Sequence, residues 1–120
     1  MKASELRIGN WVCNQIHGVG FVEAISGLTV LYSRNYDSIP VEQFEPIPIT
    51  EEWLLKFGFE HRPSIHNKKV YVDKQKIQLD IRCIGDRFYL GRETEFISSF
   101  KHVHQLQNLY FCITGEELTI

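Results

Sequence analysis

The stretch HVHQLQNLYFCITGEEL, residues 102–118, gathers the side chains best suited to chemistry: His102, His104, Asn108 and Cys112. A thiol, an imidazole and a carboxamide make up a thiol-hydrolase centre, in which a histidine within about 3 Å deprotonates the sulfur. His104, Asn108 and Cys112 stand four residues apart in succession, on one side of a helix if the segment is helical. That spacing argues against catalysis, because eight residues at about 1.5 Å each separate His104 from Cys112 by ~12 Å along the axis. His102 and His104 could chelate a metal only on an extended strand, since residues two apart diverge on a helix. His17, His61 and His66 have no ligand-like spacing, and no Walker loop, dinucleotide fingerprint, nucleophile elbow or H-E-x-x-H occurs. The sequence therefore assigns no catalytic residue, no cofactor and no metal ligand.

The helical reading rests on periodicity. With Val103 at zero and about 100° per residue, Leu109, Ile113, Leu106, Tyr110 and Val103 fall in an arc of about 120°. Gly115 stops the helix, and EELTI is expected to add an edge strand. Phe111 projects outside the stripe, near His104 and beside the face that carries Asn108. Phe111, His104 and Asn108 are thus the candidate protein interface, with a partner protein or a second copy as its occupant.

The rest of the chain must position this helix. The 120 residues suit one domain or two very small units, and 43% apolar content with 23% charged residues is that of a folded globule. A large enzyme with separate cofactor and substrate domains is not expected. Cys13, Cys83 and Cys112 form no C-x-x-C pair, so neither a disulfide framework nor a zinc ribbon is indicated. The opening residues lack the apolar run of a signal peptide, and no stretch approaches about 18 apolar residues, so a cytoplasmic protein without membrane contact is expected.

Residues 1–48 read as short strands broken by turns: LRIGNWV, VGFVEAI, GLTVLYS and SIPVEQF. Pro46 and Pro48 mark a joint. Thr50 then caps a short helix with Glu51 and Glu52 in its first turn, Trp53, Leu54 and Phe57 on its apolar face, and Gly58 at its end. An antiparallel meander follows. A hairpin turn at Gly85-Asp86 pairs Cys83 with Phe88 and Ile81 with Leu90, and a turn at Lys74-Gln75 pairs Val72 with Ile77 and Val70 with Leu79. Val70, Val72, Ile77, Leu79, Ile81, Cys83, Phe88 and Leu90 then face inward, leaving Tyr71, Gln78, Asp80, Arg82 and Tyr89 outward.

Charge is uneven: residues 1–60 carry 4 basic and 8 acidic groups, 61–104 carry 9 and 5, and 105–120 carry 0 and 2. The basic middle and the outward aromatics define an alternative nucleic-acid surface of Lys68, Lys69, Lys74, Lys76, Tyr71, Arg82, Tyr89, Arg87 and Arg92. An enzyme of unknown type is the remaining alternative, and it needs a pocket of converging ionisable groups that the sequence does not show.

Two resemblances refine the reading. RIGNWV followed by GVGFVEAI resembles the opening of SH3-like barrels of the kind found in KOW modules, and implies a small β-barrel over about the first forty residues. LRIGNWV, PIPITEEWLLKFGF and VHQLQNLYFCITGEEL together resemble a family of small uncharacterised proteins of Bacteroides-group bacteria and their phages and mobile elements. That resemblance implies a cytoplasmic, mobile-element setting and transfers no functional residue. The expected fold is α+β: an SH3-like small β-barrel over 1–48, then over 49–120 a helix, an antiparallel meander and a C-terminal helix that roofs the meander. The expected role is a non-enzymatic binding or adaptor protein for another protein or for itself.

Overall fold

The computed structural model describes residues 1–33, 38–62, 69–73, 79–92 and 95–120. The chain is α+β, with two antiparallel sheets and two α-helices, and it divides into two compact units. One unit comprises Met1–Pro48 with His102–Leu118, and the other Ile49–Lys101 with the last two residues.

In the first unit, β1 (Trp11–Asn14), β2 (Gly18–Ser26), β3 (Thr29–Tyr32), β4 (Ile39–Pro40) and β5 (Phe44–Glu45) pair in the order β4-β3-β2-β1-β5. β4 and β5 end the sheet on either side, so the strand order describes an open sheet rather than a closed barrel. Alternation sorts the side chains. Val12, Val22, Val30, Tyr32 and Phe44 are buried, joined by Leu6, Ile39 and Val41. Tyr32 and Phe44 meet edge to face at 5.1 Å. Gly20 makes room for this core, because a Cβ there would lie 2.7 Å from both the Tyr32 ring and Ser33 Oγ.

Helix α2 (Val103–Thr114) belongs to this first unit. The sequence reading gave it to the meander instead. His102 precedes it, its backbone N–H donating to Gln105 Oε1 at 3.1 Å. Gly115 ends it at φ 74°, donating its N–H to Phe111 O at 2.8 Å. Residues 117–120 form no strand, contrary to the expected edge strand. The buried residues are Val103, His104, Leu106, Gln107 and Tyr110, an arc turned by roughly 80° from the apolar stripe toward the polar side.

The second unit opens with α1 (Glu51–Lys56), capped as expected by Thr50, whose Oγ1 accepts from Trp53 N–H at 3.4 Å. Leu54 and Phe57 are buried. β6 (Phe59–Arg62), β7 (Lys69–Asp73), β8 (Leu79–Ile84), β9 (Arg87–Arg92) and β10 (Glu95–Phe100) then form a meander in sequence order. The Gly85-Asp86 hairpin has the expected register, with Cys83 opposite Phe88 and Ile81 opposite Leu90. The β7–β8 register differs by three residues, since Tyr71 lies opposite Ile81 and Val70 opposite Arg82. An odd shift exchanges faces. Tyr71 therefore joins Leu79, Ile81, Leu90 and Phe100 in the core, and Val70 and Val72 move to the outer face, half-buried. The expected turn at Lys74-Gln75, Ile77 and Gln78 lie outside the described residues.

Candidate functional site

The site builds up from the backbone that leads into β1. Gly9 N–H and Asn10 O exchange hydrogen bonds with Val22 of β2, at 2.7 and 2.9 Å, which leaves Gly9 O and Trp11 N–H to be matched from elsewhere. Gln107 on α2 matches both: its Nε2 donates to Gly9 O at 3.0 Å, and its Oε1 accepts from Trp11 N–H at 2.8 Å. One buried carboxamide thus continues the hydrogen-bond ladder with a side chain. This is the physical reason that the polar side of α2 turns inward.

Asn108 does the same one residue on. Its Oδ1 accepts from Asn10 Nδ2 at 2.9 Å and from Arg7 Nη1 at 3.3 Å, and its Nδ2 donates to Glu5 O at 3.0 Å. Arg7 also donates to Glu117 Oε1 and lies 3.9 Å from the centre of the Phe111 ring. Phe111 is 37% exposed, with this guanidinium over one face of its ring.

His104 is 2% exposed. Its Nε2 lies 3.7 Å from Glu5 Oε2, its Nδ1 is buried without a hydrogen-bond partner, and its ring stacks on His102 at 5.9 Å. Burial, and then the neighbouring His102, hold the imidazole below its ordinary value of 6.5, against the upward pull of Glu5. Cys112 is exposed, one residue beyond Phe111. No three His, Cys, Asp or Glu side chains among the described residues come together as metal ligands.

Of the three interface candidates, Phe111 alone remains open to solvent. Asn108 is half-buried and committed to Arg7, Asn10 and Glu5, while His104 is enclosed. A second apolar surface on this unit went unnoticed in the sequence. Trp11 and Phe21 face each other across β1 and β2, edge to face at 5.5 Å, and Cys13 opposite Val19 extends the row. Phe21 is 38% exposed, and β1's other side chains, Val12 and Asn14, are buried beneath it. The signal was the alternation in WVCN against GVGF, which puts both aromatic residues on the side away from the valine core.

Only part of the nucleic-acid candidate set falls among the described residues. Lys68, Lys74 and Lys76 lie outside the described residues, and Lys69 enters β7 opposite Cys83. Tyr71 is 1% exposed, so it offers no stacking face, which corrects its outward assignment. Burial and a hydrogen bond to Glu51 push its hydroxyl up to about 12. Arg82 and Tyr89 do face outward. Arg82 Nε donates to Asp80 Oδ2 at 3.2 Å, however, and Tyr89 packs on Phe96 with ring centres 5.2 Å apart. Arg87 and Arg92 are exposed on β9. The outward face therefore holds a neutralised arginine and an aromatic pair.

No family model matches the chain, and no solved structure matches it. Over 76 residues, 62% of this chain, the sequence is 28% identical to Protein HID1 of Dictyostelium discoideum. The matched stretch spans 8% of that protein's length.

Proposed function

We propose that the chain is a non-enzymatic binding or adaptor protein, with another protein or a second copy as its partner, and that its first unit is an SH3-like module. The observation that carries this is the Trp11–Phe21 pair. Two large aromatic side chains lie edge to face on the outer side of a sheet whose inner side is already filled, extended by Val19 and Cys13. Aromatic residues on a rigid strand lose little entropy on binding and are the commonest anchors of protein contacts. The strand order β4-β3-β2-β1-β5, with a 3-10 turn at Val41–Gln43 leading into β5, supports the SH3-like assignment. A cytoplasmic setting in a Bacteroides-group bacterium or a mobile element belongs to the same proposal. Among the described residues no helix is long and apolar enough to cross a membrane.

The test is co-purification from the native host at low and high salt, with wild type and Phe21→Ser in parallel. A partner protein retained at high salt by wild type and released by Phe21→Ser is the expected result. Retention of nucleic acid that falls steeply with salt, unaffected by Phe21→Ser, would support the rival reading instead.

A further inference from the structure

The contacts of His104 have a consequence that does not depend on the identity of any partner. A neutral imidazole has one N–H and one bare nitrogen, whereas a protonated one has two N–H groups and a charge. His104 Nε2 is the nitrogen that faces Glu5, at 3.7 Å, and Nδ1 is sealed from solvent with no acceptor near it. Protonation would place a donor on Nδ1 that nothing receives, which is costly in a buried place. The charge would also sit in the first turn of α2, where the helix dipole is unfavourable to cations.

The groups facing this imidazole are few. Its own helix brings His102, stacked at 5.9 Å, and the 3-10 turn at Ala3–Glu5 brings Glu5. β1 and the segment at Ile47–Pro48, which also adjoin α2, carry no charged residue. Glu5 is exposed, so water screens its attraction for the added proton. His102, the other neighbour, works against the added proton.

We propose that His104, with His102 and Glu5, forms an acid-sensitive latch that holds α2 on the lead-in to β1 when neutral and loosens it on taking up a proton. The bonds of Gln107 to Gly9 and Trp11, and of Asn108 to Asn10 and Glu5, are made by the same helix and are lost with it. The direction follows from linkage. The folded imidazole binds its proton more weakly than the unfolded one, so the latch is fully closed above about pH 6.5 and opens as pH falls below it. Such histidine clusters act as switches because their charge changes near neutrality.

Amide hydrogen exchange at Trp11, corrected for the intrinsic rate and compared with the β2–β3 hairpin, tests this between pH 7.5 and 5.5. Protection at Trp11 should fall several-fold with acid, by up to about tenfold per unit of pKa difference, while the hairpin stays protected. In His104→Gln the fall should vanish. A parallel fall at Trp11 and the hairpin, no fall at either, or a fall that survives in His104→Gln would overturn the proposal. If His104→Gln does not fold, His102→Gln decides. Removing the repelling neighbour should bring the folded imidazole closer to its ordinary value and shrink the acid fall at Trp11, and a fall of unchanged size would overturn the proposal.

Discussion

Gln107 spans the backbone on either side of Asn10, accepting from Trp11 N–H at 2.8 Å and donating to Gly9 O at 3.0 Å. Removing the carboxamide takes both of these hydrogen bonds from half-buried backbone groups. Gln107→Leu, which keeps the bulk, should therefore destabilise the chain by about 2–4 kcal/mol in urea unfolding. A change under about 0.5 kcal/mol would mean that water satisfies these groups equally well. Cys112→Ser, at an exposed position on the same helix, should be nearly neutral.

Gly20 supplies a second prediction, because it lies close against the Tyr32 ring. An added methyl would meet Tyr32 and Ser33 Oγ at 2.7 Å, so Gly20→Ala should cost about 1–3 kcal/mol through displacement of the ring. The near-ultraviolet circular dichroism of the tyrosine should change with it. Unchanged stability and an unchanged tyrosine signal would show that the core there is looser than the contacts indicate.

Tyr71 makes the alkaline behaviour specific. Its hydroxyl is held protonated up to about 12, first by burial and then by Glu51, against an unfolded value of 10.0. The folded state thus binds the proton more tightly. The stability it contributes is complete below pH 10 and is lost as pH rises from 10 toward 12. Ultraviolet titration should show a late-ionising tyrosine, and Tyr71→Phe should remove its contribution. A late part of the titration left unchanged by Tyr71→Phe would contradict the burial of Tyr71.

These residues also show how far the sequence could be read. The helix over 103–114, its stop at Gly115, the Thr50 cap and the Gly85-Asp86 hairpin were legible because each depends on local chemistry: periodicity, a left-handed glycine or a capping hydroxyl. The β7–β8 register was not legible, since it depends on the length of the connection and not on either strand. Val70 and Val72 resemble core residues more than Tyr71 does, so the apolar pattern pointed to the wrong face. The orientation of α2 misled for a related reason. An apolar stripe predicts burial only where the opposing surface is apolar, and the backbone before β1 attracts Gln107 and Asn108 inward instead. The Trp11–Phe21 surface was missed because its alternation becomes visible only when two strands are set side by side.

The central claim is that the outer side of β1 and β2 is where a partner protein binds. Site-specific photo-crosslinking in the native host measures this most directly, with the photoreactive side chain placed in turn at Phe21 and at Ser26, an exposed β2 position beyond the aromatic row. The account predicts a discrete protein adduct from position 21 and none from position 26. Equal labelling from both positions, or an adduct from 26 alone, would contradict it.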